Sequence, residues 1–123
     1  MSAERPFVVS VDNVDPDISV VVVKGSVDMA VAAEFSAALT EAIEERDGSL
    51  LIDLTAVTFI DSTGLNALVN AFERQRWSGR GFAIVSDDNR LAMMLEVTRL
   101  DRVLKRYPTR DEALATLPEQ DWP

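Results

Sequence analysis

Ile18 to Val23 is apolar except for Ser19 and rich in β-branched residues. Such residues are stiff at χ1 and fit a pleated surface, so the run predicts a buried strand. Phe7 to Val11 predicts a shorter strand before it. Asp12 to Asp17 is polar, contains Pro16, and reads as the turn between them. A loop this short joins neighbouring strands as an antiparallel hairpin. The period then changes. Ala32, Phe35, Leu39, Ala42 and Ile43 recur at helical spacing, with Glu34, Glu41, Glu44 and Glu45 elsewhere on the wheel. Asp28 is a candidate cap for the start of this helix and Gly48 for its end.

Leu50 to Leu54 predicts a third strand. A second helix follows Asp61, with Leu65, Leu68, Val69 and Phe72 as its apolar stripe and Gly79 beyond its end. Phe82 to Val85 predicts a fourth strand, Leu91 to Glu96 a short helix, and Val103-Leu104 a fifth strand. Thr109 and Glu112 have capping-box spacing, so a last helix starts at Thr109 and carries Leu114 and Leu117. The order is ββαβαβαβα. Strands joined by helices run parallel with right-handed crossovers. The expectation is one α/β domain over residues 1–123: a mixed sheet, an N-terminal hairpin and about four helices. Residues 1–6 and 118–123 are expected to be loose, with Trp122 as an anchor.

Composition narrows the chemistry. The chain has 123 residues, 47% of them hydrophobic, enough for a core without cross-links. It has no cysteine and no histidine. That removes thiolate sites, Ser-His-Asp triads and imidazole bases together, and speaks against a hydrolase. The net charge of −9 disfavours direct contact with nucleic acid. The start of the chain lacks a signal-like apolar core, and no run approaches the roughly 20 apolar residues of a membrane span. A cytoplasmic location is expected.

The most informative segment is Val57-Thr58-Phe59-Ile60-Asp61-Ser62-Thr63-Gly64-Leu65. Asp61 is placed to cap a helix, and Ser62 falls in its first turn. Free backbone N–H groups at a helix start favour an anion, including a phosphoryl group. An ordinary N-cap explains the same residues. Asn66, Asn70 and Glu73 continue from Ser62 as a polar stripe, readable as a solvated face or as a docking surface. Two other patterns compete. Asp12, Asp53, Ser86 and Lys105 occupy positions like those of a phosphoacceptor receiver domain. That reading requires Asn13 to Lys24 to be a helix, against Pro16 and four consecutive valines. Asp12, Asp15 and Asp17 offer a Ca²⁺ site, but without a loop-closing glutamate at EF-hand spacing.

The segment at 61–65 resembles the signature of the sulphate transporter and anti-sigma factor antagonist domain, STAS. In its anti-sigma antagonist branch, Asp-Ser-Ser/Thr-Gly-Leu/Ile carries a phosphorylated serine. Gly25-Ser26-Val27-Asp28 is similar to the family's Gly-x-Leu-Asp, and Leu51-Ile52-Asp53-Leu54 to its central strand. Val85-Ser86 and Leu95-Glu96-Val97-Thr98-Arg99-Leu100 match later segments, with Arg99 where Gly is frequent. The resemblance implies an anti-sigma factor antagonist that is not itself an enzyme and needs no cofactor or metal. Ser62 would be the phosphoacceptor and Thr63 the weaker candidate. Asp28, Asp61, Ser62, Thr63, Gly64, Asn66 and Asn70 would meet the partner, an anti-sigma factor that is also a serine kinase. A serine phosphatase would reset the switch. The alternative within the fold is an unphosphorylated interaction module of a larger signalling or transport assembly.

Overall fold

Parallel strands with both faces covered read as continuous apolar runs, and three of the runs above do so. The computed structural model describes residues 7–117. The two expectations for the termini, Trp122 included, lie outside those residues. In chain order the strands are β1 (Phe7–Asp15), β2 (Ile18–Val27), β3 (Ser49–Ile60), β4 (Phe82–Val85) and β5 (Arg106–Tyr107). The helices are α1 (Ala32–Glu45), α2 (Ser62–Trp77), α3 (Asn89–Val97) and α4 (Arg110–Thr116). One sheet runs β1-β2-β3-β4-β5. Only the β1–β2 pair is antiparallel. The mixed sheet, the hairpin and the four helices are as the sequence predicts.

Alternation along the strands divides the core in two. Leu50, Ile52 and Leu54 face the larger half, with Phe35 and Leu39 of α1, Leu68 and Phe72 of α2, and Leu91 and Leu95 of α3. Leu51 and Val85 face the other half, closed by Ala113 of α4 and by Leu117. Phe7 meets Phe35, and Phe72 meets Phe82, edge to face at centroid distances of 6.3 and 5.8 Å. Gln75 is a buried polar exception. Its amide donates to the carbonyls of Gly48 (3.0 Å) and Gly81 (2.9 Å), tying the end of α2 to the loops that lead into β3 and β4.

Several boundaries differ from the sequence reading. The hairpin continues through the predicted turn, with Asp12 paired to Val20 and Asp15 to Ile18, so the turn shrinks to Pro16-Asp17. Polar side chains are acceptable there because that end of the hairpin is solvent-exposed. Asp28 does not cap α1. Its carboxylate accepts from Ala30 N at 3.0 Å within a separate turn, and Val31 is the N-cap. Gly48 does not end α1, which stops at Glu45. A Cβ at Gly48 would collide with the Asp17 carbonyl oxygen, so the glycine allows the β3 start to approach the hairpin. Val103-Leu104 is not the fifth strand. Leu104 is a buried plug closing a 3₁₀ turn, Leu100–Arg102, and β5 follows at Arg106–Tyr107. An apolar pair has no period to separate a plug from a strand. Arg99 has φ +64°, in the left-handed region that favours glycine.

The hairpin over residues 7–27 and the antiparallel β1 remove the receiver reading, since a flavodoxin-like order is 2-1-3-4-5. Among the described residues, no group of three or more acidic side chains is arranged to hold a metal ion. None of their helices is long and apolar enough to cross a membrane.

Candidate functional site

β3 outruns its neighbour. Its last pair with β4 is Asp53 with Val85, yet it continues to Ile60, paired only with β2. Two register shifts against β2, between Val22 and Lys24 and between Gly25 and Ser26, place extra residues in this overhang. Bulges of this kind re-aim side chains. They leave Phe59 half exposed and return Ile60 to the core. The overhang closes where Asp61 N donates to Val27 O at 3.1 Å, and the chain turns into α2.

Asp61 organises that turn. Its Oδ1 accepts from Thr63 N at 2.9 Å, from Gly64 N at 3.3 Å and from the Thr63 hydroxyl at 2.5 Å. The Met29 backbone N–H adds a further bond from the β2–α1 turn. The Thr63 hydroxyl, with these backbone donors, holds the Asp61 carboxyl below its ordinary value, against a smaller upward push from desolvation. The carboxylate therefore fastens two loops at the carboxyl ends of β2 and β3, and Asp28 lies in the first of them.

Within the motif the residues separate. Ser62 is the first residue of α2 and is exposed. Thr63 is half-buried, its hydroxyl engaged by Asp61. Gly64 is buried, and a Cβ there would stand 2.7 Å from Ile60 Cγ1 and 2.8 Å from Val27 Cγ1. Its contribution is a close approach of helix to sheet. Asn66, Asn70 and Glu73 are exposed along the same helix, clear of the buried stripe of Leu65, Leu68 and Phe72. Met29, 77% exposed in the β2–α1 turn, and Phe59 near the end of β3 add apolar surface close to Asp61. The sequence reading missed both as surface residues. It ended β3 at Leu54, and nothing in the pattern marks the bulges that turn Phe59 outward.

Asp53 lies apart, on the α4 face. Burial raises its carboxyl, but Arg110 and the Thr55 hydrogen bonds outweigh burial and hold it below the usual carboxylate value. Arg110 Nη2 is 2.7 Å from Asp53 Oδ2, and Thr55 Oγ1 donates to Oδ1 at 2.7 Å. A carboxylate so engaged locks α4 to the sheet.

The sequence profile of the STAS domain matches residues 11–113. The chain belongs to the STAS domain family. A Thermotoga neapolitana relative is 40% identical over 65 residues, which cover 53% of this chain and 58% of that protein. The anti-sigma-B factor antagonist of Listeria monocytogenes is 33% identical over 92 residues, covering 74% of this chain and 80% of that one. The crystal structure of an anti-sigma factor antagonist from Mycobacterium paratuberculosis superposes with a TM-score of 0.84 at 31% identity, covering 95% and 98%. Those two relatives carry the names of regulators rather than enzymes. They place this STAS domain in the anti-sigma factor antagonist family.

Proposed function

We propose that this STAS domain binds an anti-sigma factor when Ser62 is unmodified, and so frees a sigma factor for transcription. The anti-sigma factor doubles as an ATP-dependent serine kinase. The γ-phosphoryl group of ATP passes to Ser62 Oγ, the hydroxyl proton leaves to a base on the kinase, and ADP departs. The modified domain then releases its partner, and a serine phosphatase hydrolyses the phosphoester.

The observation that carries this reading is the division between neighbouring hydroxyls. Ser62 is exposed at the first position of α2, whereas the Thr63 hydroxyl is bound to Asp61. A phosphoryl group adds about −1.5 to −2 charges, and a helix N-terminus tolerates them in the free protein. The fold survives and the effect falls on the interface. A charge buried there without a partner costs several kcal/mol, on the order of a hundredfold in affinity or more.

Calorimetric titration against the anti-sigma factor tests this. Ser62→Ala is expected to bind well and to resist release by kinase and ATP. Ser62→Asp is expected to fold normally and bind weakly. Equal affinities, with both variants folded, would replace the switch with a static interaction module.

A further inference from the structure

The β3 overhang has a second consequence, on the side that β4 does not cover. Between the overhang and α3 lies a crevice of about 180 Å³. Leu54 and Val57 form one wall, Leu91 and Met94 the other. The volume exceeds the roughly 150 Å³ of an apolar cavity that accepts benzene.

The mouth defines the ligand class. Arg90 spans it, with Nη2 donating to Thr58 O at 3.3 Å and Nε 3.6 Å from Asp88 Oδ1. One cation and one anion offset each other there, so a charged ligand gains no complementary field and loses hydration on entry. An uncharged group meets the guanidinium's remaining donors at no such cost. The crevice also reaches the start of α2. Ile60 lines it, and the same side chain packs against Gly64, two residues after Ser62.

We propose that this crevice binds a small uncharged, largely apolar molecule, one aromatic ring or a short alkyl chain with at most one hydrogen-bonding group. We infer that its occupant presses, through Ile60, on the first turn of α2. The inference does not require Ser62 to be phosphorylated.

Amide-resolved NMR titration of the full chain tests it, with benzyl alcohol as probe and benzoate and benzylamine as charged comparators. Benzyl alcohol is expected to give saturable shifts at Val57, Ile60, Leu91 and Met94, and at Gly64. The charged comparators are expected to bind at least about tenfold more weakly, a difference of 1.4 kcal/mol or more. Met94→Trp and Val57→Phe, two half-buried positions, are expected to fill the space and abolish the shifts while the spectrum stays dispersed. Absent saturation, or shifts that persist in whichever filled variant folds, would overturn the site. Equal binding of benzoate or benzylamine would overturn the uncharged class. Saturation at the crevice without a shift at Gly64 would overturn the link to α2.

Discussion

Arg110 reaches across from the first turn of α4 to place Nη2 2.7 Å from Asp53 Oδ2 in the middle of β3. The Asp53 side chain is 9% exposed and that of Arg110 34%, so the pair stands between a buried and a surface ion pair. Arg110→Ala strands the carboxylate, and we expect a loss of about 1–3 kcal/mol in urea unfolding. Acid sensitivity follows with a definite sign. Asp53 titrates below its ordinary 3.8 when folded, so its stabilisation is present above that value and lost as pH falls through the folded pKa. Arg110→Ala shrinks that downward shift, so the variant, though less stable at neutral pH, is expected to lose less of its remaining stability to acid than wild type does.

Gly64→Ala tests the close approach of α2 to the sheet. Alanine is the better helix former by about 0.5–1 kcal/mol, but its methyl would stand under 3 Å from both Ile60 and Val27. Overpacking costs about 1–3 kcal/mol, so the net change is expected to be destabilising. Denaturant midpoints would read it, and a midpoint above wild type would show that the interface yields.

Asp61 links the cap to pH. Its carboxyl is held below 3.8 in the folded protein, so its contribution is lost as pH falls through that lower value. Asparagine can still accept the backbone bonds but does not titrate here. Between about pH 5 and pH 3, the melting temperature of Asp61→Asn is expected to fall less than that of wild type. Parallel thermal melts would measure the difference.

Asn66→Arg addresses the proposed docking face. The position is exposed one turn beyond Ser62, and the stability change is expected to stay within about 0.5 kcal/mol. Affinity for the anti-sigma factor is expected to drop, as measured by the same calorimetry. Unchanged affinity would move the interface off this stripe.

Periodicity made the element order and most of the core legible, because Ile18 to Val23 and Leu50 to Leu54 are each interrupted by one polar residue only, Phe82 to Val85 by none, and α1 and α2 carry clear stripes. The cap at Asp61 was legible from the residue types that follow it. The extent of β3 was not. Thr55, Ala56 and Thr58 break the apolar run, while pairing to β2 continues beneath them. Phe59 and Met29 as surface residues, and the crevice beside α3, depend on that overhang and its bulges. Likewise, Arg110 and Asp53 are 57 residues apart, and only the fold pairs them.

Of the four motif residues, only one offers its side chain freely to a visitor. Asp61 and Thr63 are spent on each other, Gly64 is hidden, and Ser62 stands outside. A cell holding several such domains would therefore gain little discrimination from the motif, which in the proposed switch conveys only the on/off state. The identity of the correct partner has to be spelled elsewhere, at positions free to vary without disturbing the helix start, such as Met29, Phe59, Asn66 and Asn70. Pathway insulation between paralogues would then evolve around an unchanging proposed phosphoacceptor.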